Sequence, residues 1–297
     1  MKHSIKAHLA LLGTNIFFAI NYTAVKYLVN EQWVKPFGLN LVRVGVSAIL
    51  LWVLFLWKPV KSRIQKKDFG RFFLCALTGI AINQMLFIKG LSLTYSIHAT
   101  LLMLTTPILI TILAAWMLKE KLNSYKIAGL VLGISGAVIL LTAKENSGNA
   151  SAVLWGDILI ILNAISYTFY FILVKPLMKT YKPIEVIRMI FTIGFFLMLP
   201  FCWNEFTEIP WQQYDTLAFF NLGMVVIAGT FLAYIFNVYG IQILGASIAG
   251  TYIYSQPVFA ATIAIIFLGE SLSLYKIIAA ALIFIGVYLS NKKNKGG

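Results

Sequence analysis

Residues 104–126 read LTTPILITILAAWMLKEKLNSYK, and residues 254–276 read YSQPVFAATIAIIFLGESLSLYK. At an offset of 150 the two stretches share a proline (Pro107, Pro257), a glutamate (Glu120, Glu270) and a Tyr-Lys pair (Tyr125-Lys126, Tyr275-Lys276). The register extends without a gap from Ala76 to Leu140: Gly79 falls on Gly229, Gly90 on Gly240, Ala99 on Ala249 and Gly136 on Gly286. One residue of slip further back places Val25-Lys26 on Val174-Lys175. A duplicated apolar half is the sequence signature of a membrane transporter assembled from structural repeats.

Composition agrees. Of 297 residues 60% are hydrophobic and only 11% charged, with mean hydropathy +0.85. A water-soluble core cannot hide that much apolar surface, so the bilayer is the solvent. Ten spans are predicted, at residues 7–29, 37–57, 70–93, 97–117, 124–142, 154–175, 184–203, 217–241, 246–267 and 274–291, each near the roughly 20 residues that cross the hydrocarbon. Alternating strand patterns are absent, which argues against a barrel. The expectation is an all-α membrane protein of ten helices, with repeats at 1–145 and 146–297. Five spans per repeat is an odd number, so the second half must enter the membrane inverted. Paired positions then lie at opposite depths around an axis in the membrane plane, where substrate sites of such carriers lie.

The net charge of +14 first suggests nucleic acid, but its distribution excludes that reading. With the N-terminus cytoplasmic, 18 of the 24 Lys and Arg fall on the cytoplasmic side, the positive-inside pattern. Both termini are expected in the cytoplasm and the chain in a cell membrane of the bacterial inner-membrane type. Cys75 and Cys202 fall inside spans and imply no disulfide framework. His3, His8 and His98 have no ligand spacing and no carboxylate near in sequence, so neither a metal nor another cofactor is expected. The first span is too long for a signal-peptide core and is expected to be retained.

The run Gly156-Asp157 through Asn163-Ala164-Ile165-Ser166-Tyr167, then Pro257, Leu268-Gly269-Glu270-Ser271-Leu272 and Gly286-Val287, resembles the second repeat of an EamA-type permease of the drug/metabolite transporter superfamily. The first half carries the parallel Pro107, Leu118-Lys119-Glu120-Lys121-Leu122 and Gly136, with Lys119 where the family usually has Gly. The resemblance implies a ten-helix carrier of small metabolites, often outward, with helices 1, 3, 4, 6, 8 and 9 lining a cavity and 5 and 10 outside it. It names no substrate.

Candidate site residues follow from what is costly in a bilayer. Pro107 and Pro257 each remove a backbone donor, leaving the carbonyls of Met103 and Ile253 to find other partners. They are expected to kink helices 4 and 9, for gating or for packing alone. Lys26, Arg43 and Lys89 lie in the outer third of their spans. They either snorkel to the headgroups and helix ends or hold an anionic group of a substrate. Lys175 and Arg188 lie at the cytoplasmic border, where anchoring competes with function. Asn21, Asn83, Gln84 and Asn163 are amides at depth, which demand partners in the bundle or a water-lined cavity. Tyr167, Tyr170 and Tyr252 suit an amphipathic cavity wall, or belt and packing. All ten acids read as loop or helix-end residues. This argues against a mid-membrane proton relay, though not against a peripheral acid such as Asp157. Gly129-x-x-x-Gly133 and Ala279-Ala280-Ala281 are small-residue faces for helix contact, within the bundle or in a homodimer.

Three functions are weighed. A secondary carrier working by alternating access fits best, moving amino-acid-like or other small polar or amphipathic compounds, with export the expected direction. An intramembrane enzyme would need converging catalytic groups, which the sequence does not display. A channel would need a filter-like ring.

Overall fold

The computed structural model describes residues 2–57, 64–118, 124–142, 150–244 and 252–290. These form ten successive apolar helical spans, and no strand occurs among the described residues. They are α1 (Lys2–Asn30), α2 (Pro36–Trp57), α3 (Lys66–Leu93), α4 (Ser96–Leu118, in two pieces), α5 (Ser124–Thr142), α6 (Ala150–Thr180), α7 (Pro183–Thr207), α8 (Thr216–Leu244), α9 (Ile253–Leu268) and α10 (Leu274–Ser290). Eight contain windows long and apolar enough to cross a membrane, and α9 and α10 are shorter apolar helices. Helices are the natural solution here because hydrocarbon supplies no hydrogen-bond partner for an open backbone. The junction between the predicted repeats, at 145/146, lies outside the described residues, as do Lys119, Glu120, Lys121, Leu122 and Ala249.

Packing follows the repeat. α5 packs on α10, α2 on α7 and α4 on α9, while α3 packs on α6 and α8 on α1. Exchanging each helix with the one five places later maps this pattern onto itself. The closest approaches obey the same exchange. A Cβ on Gly136 would lie 2.8 Å from the Ala279 carbonyl of α10, and one on Gly286 would lie 2.7 Å from the Gly129 carbonyl of α5. The two predicted small-residue faces are therefore spent on each other within one chain. Likewise Gly79 of α3 faces the Tyr170 ring of α6, and Gly229 of α8 faces Asn21 of α1. Tyr170 and Asn21 are related by the 149-residue shift that pairs Lys26 with Lys175.

Two backbone features depart from straight helices. α3 and α8 each widen into a π-turn, at Leu77–Ala81 and Met224–Leu232, both around the repeated glycines. Such turns insert one extra residue into a helix. α4 is not merely kinked but divided. One piece runs Ser96–Met103 and the next Thr106–Leu118, which places Pro107 in the first turn of the second piece. The carbonyl of Met103 accepts from the Thr106 hydroxyl (2.7 Å), and that of Leu102 from Thr105 (2.6 Å). In α9 a short 3₁₀ turn, Ile253–Ser255, precedes Gln256–Leu268, again with the proline in the opening turn. The Ile253 carbonyl accepts from the Gln256 N–H, and the Ser255 hydroxyl serves Tyr252 (2.7 Å). A proline is tolerated in a helix's first turn, where its missing donor would have been unpaired anyway.

Candidate site in the middle of the bundle

The turn joining α1 to α2 and that joining α3 to α4 share one face of the bundle, here the far side; the N-terminus is on the near side. Between the two, polar side chains from five helices form a connected layer. Arg43 of α2 is 2% exposed. Its Nε donates to the Thr230 hydroxyl (3.1 Å), which itself donates to the Val225 carbonyl five residues earlier (2.7 Å), inside the π-turn of α8. One turn before Arg43, Asn40 donates to the Gln84 carbonyl (3.0 Å). The Gln84 amide lies within 3.4 Å of the Asn83 oxygen and 3.5 Å of the Tyr234 hydroxyl. Asn83 and Asn163 exchange bonds: each amide donates to the other's backbone carbonyl, at 3.2 and 2.7 Å. Asn21 packs against Gly229, the residue before Thr230.

The layer is internally bonded but not satisfied. Arg43 Nη1 has no hydrogen-bond partner, and neither do the side-chain oxygens of Asn21, Asn40, Gln84 and Asn163. Arg43 forms no ion pair among the described residues. In a low-dielectric interior an uncompensated cation is costly, and each unpaired polar group adds about 1–3 kcal/mol. The layer thus holds one unpaired cationic donor and four unpaired acceptor oxygens.

The other predicted residues divide. Tyr167 and Tyr170 sit together on α6 with ring centres 5.6 Å apart, Tyr170 reaching Gly79. Lys26 is held at the far side, where its Nζ donates to the Thr94 carbonyl (2.6 Å). Tyr252 immediately precedes α9 and bonds His8 (2.7 Å). Lys89 is exposed on α3, away from the layer. Pro107 and Pro257 mark the breaks already described. Lys175 is exposed over the Phe171 ring.

Reading the sequence missed Thr230 and Tyr234, which complete the layer, and a second cluster at the far side. Asp157 is not a helix-end acid: it is buried seven residues into α6. Its carboxylate accepts from the Thr94 hydroxyl and from His98 Nδ1 (2.9 Å), tying α6 to the α3–α4 turn. Glu270, from the α9–α10 turn, accepts from the N–H groups of Ser96 (2.7 Å) and Ile97 (3.0 Å) at the start of α4. Glu205 of α7 does the same for Phe37 (2.6 Å) and Gly38 (3.2 Å) at the start of α2. A carboxylate at a helix N-terminus meets both unpaired N–H groups and the positive end of the dipole. Each carboxylate belongs to the second half and each partner to the first. The repeated glutamate in the opening stretch was the available signal for Glu270; Asp157 and His98, 59 residues apart, gave none.

The profile described as "EamA-like transporter family" matches residues 5–142 and again 154–292. An "Uncharacterized transporter" of Archaeoglobus fulgidus is 24% identical over 97% of this chain and all of its own length. A "Probable terminal-alkyne amino-acid exporter" of Streptantibioticus cattleyicolor is 26% identical over 98% of this chain and 95% of that protein. A chain of known crystal structure superposes with TM-score 0.61 at 18% identity, covering 94% of this chain and 96% of the other, a likeness of fold.

Proposed function

The chain belongs to the EamA-like transporter family, and we propose that within it the protein is a secondary carrier that exports small amino-acid-like metabolites by alternating access. The observation that carries this reading is Arg43: a guanidinium buried at mid-bundle, without a carboxylate partner, among four unpaired amide oxygens. A substrate carboxylate supplies the missing counter-charge, and its ammonium donates to the amide oxygens. The relative named as an amino-acid exporter supports both the substrate class and the outward direction. The positive-inside count supports a cytoplasmic near side and a cell-membrane location.

Alternating access here is an exchange between two inverted halves. The far-side ties of Asp157, Glu205 and Glu270 belong to the state closed to the outside. Opening requires the outer piece of α4 to part from α6 and from the α9–α10 turn. The break at Leu104–Thr105, where threonine hydroxyls donate to the carbonyls of Leu102 and Met103, is the point about which that piece tilts. Carrier action rather than catalysis accounts for a polar layer that lacks a nucleophile–base pair. A homodimer, if formed, uses faces of α5 and α10 other than the small-residue ones. The test is untargeted mass spectrometry of medium from bacteria expressing the chain or its Arg43→Ala variant at equal membrane level. Selective accumulation of an amino-acid-like compound, lost in the variant, is expected. Accumulation unchanged by the variant would remove Arg43 from the mechanism.

A further inference from the structure

At the near-side ends of α2 and α7 a second cation is buried without a role in the mid-bundle site. Arg188 of α7 is 7% exposed. Its guanidinium lies 3.6 Å from the ring centre of Phe55 and 4.5 Å from that of Trp52, in the corner of an edge-to-face pair whose centres are 5.8 Å apart. The corner is fixed in place. Trp52 donates its indole N–H to the Thr192 hydroxyl (2.9 Å), and Thr192 donates to the Arg188 carbonyl (2.8 Å). The indole donor is thereby spent, while Arg188 Nε and Nη1 have no hydrogen-bond partner.

The sequence offers anchoring as the simple reading of Arg188, but an anchor extends into water, and this side chain is packed between two helices. The nearest acid on its helix is Glu185, one turn earlier, whose carboxylate accepts from the Lys182 N–H (3.0 Å) as a cap and whose charge also acts on Arg188, yet it leaves the Arg188 Nε and Nη1 without a hydrogen-bond partner. The other acid at this end, Asp68, accepts from the Tyr181 hydroxyl (2.7 Å), while the exposed cations Lys182, just before α7, and Lys66, which lines a shallow crevice with Met189, lie at the same end. The flanking surface of α2 is apolar, with Ile49, Trp52 and Val53 exposed at or below the depth of Arg188 and Leu56 and Trp57 exposed towards the helix end. Cationic donors above an apolar helix groove, about one to two turns from the helix ends, match the phosphate and acyl chain of a phospholipid. A guanidinium held flat on aromatic rings is pre-organised for phosphate oxygens.

We infer that Arg188, framed by Trp52 and Phe55, is the binding site for the headgroup phosphate of an anionic phospholipid of the leaflet on the near side, bridging α2 and α7. That this leaflet faces the cytoplasm rests on the topology proposed above; the binding chemistry does not. The lipid supplies the acceptor that Arg188 lacks, and Lys66 and Lys182 favour a headgroup with net negative charge.

The test is native mass spectrometry of the detergent-solubilised full chain mixed with phosphatidylglycerol or phosphatidylcholine of identical acyl chains. The wild type is expected to retain phosphatidylglycerol preferentially. Arg188→Gln should weaken that retention on the order of tenfold, and Arg188→Lys should restore part of it. If Arg188→Gln is not monodisperse, Trp52→Leu with Phe55→Leu removes the aromatic corner and should give the same loss. Equal retention of both lipids, or retention unaffected by these variants, overturns the site. Protection of the adduct-free protein by inorganic phosphate as strong as by the lipid would mean a soluble anion instead, and would also overturn the lipid assignment. The readout is binding, so it stands or falls independently of transport and of topology.

Discussion

The two ends of the bundle are built from repeated sequence, yet they are tied differently. On the far side three carboxylates of the second half, Asp157, Glu205 and Glu270, reach N–H and O–H donors of the first, and Tyr214 adds a bond to the Trp33 carbonyl (3.2 Å). On the near side a single carboxylate, and one from the first half, takes part in the described bonds between halves: Tyr181 donates to Asp68 (2.7 Å) and accepts from the Gln65 N–H (3.0 Å), while His8 bonds Tyr252 and Trp52 donates to Thr192. The repeat makes the difference concrete. At the 149-residue shift Asp157 corresponds to His8, so the charged hub of one end has a neutral-capable counterpart at the other. Duplication fixes shape, while the ionic groups laid over it decide which end is latched.

The comparison can be broken at its hub. In a background lacking Cys75 and Cys202, Thr100→Cys places a buried thiol one turn inside the start of α4. Asp157→Asn removes a charged acceptor shared by Thr94 and His98, so far-side labelling of that thiol by an impermeant reagent should quicken on the order of tenfold or more. The matching change at the other end, His8→Ala, should leave that rate within about twofold, since it breaks one neutral-capable bond. Glu270→Gln keeps an acceptor but loses the charge at the helix terminus, and a smaller rise of roughly three- to fivefold is expected. Among these variants an equal response at both ends would dissolve the asymmetry.

Smaller effects sharpen it. Pro107→Ala should slow turnover a few-fold with binding little changed, because it lets the two pieces of α4 fuse; stopped-flow binding and steady-state flux separate the two. Least of all should follow from Glu208→Gln. Its bond to Lys35 (2.5 Å) spans the far-side turns, but both side chains are more than half exposed, so flux should move by less than about twofold. Its hydrogen bond raises the pKa of Lys35 above the ordinary lysine value. Whatever the pair contributes is therefore present at neutral pH and is lost only as pH rises through the lysine range.

Much of this was legible before any coordinates. Hydropathy marked ten spans, and the 150-residue offset tied Gly79 to Gly229 and Gly136 to Gly286, all of which prove to be close approaches between helices. The side on which a residue faces was harder. Lys26 and Lys89 read alike by depth, yet one is bonded at the far side and the other is exposed. The π-turn at Leu77–Ala81 explains part of that: one extra residue rotates everything after it by about 100° relative to a regular helix. Arg43 stood out because a guanidinium inside a span is expensive at any depth. Its partner Thr230 did not, since a threonine in a helix ordinarily bonds its own turn.

The most direct test of the central claim is counterflow in liposomes carrying purified wild type, Arg43→Ala or Arg43→Lys, with a panel of labelled amino acids, their decarboxylated amines and their amides. The account predicts saturable counterflow of one or more amino acids in the wild type, no response to the analogues without a carboxylate, loss in Arg43→Ala and partial recovery in Arg43→Lys. Equal transport of amino acids and their amines, or normal kinetics in a fully folded Arg43→Ala protein, would contradict it.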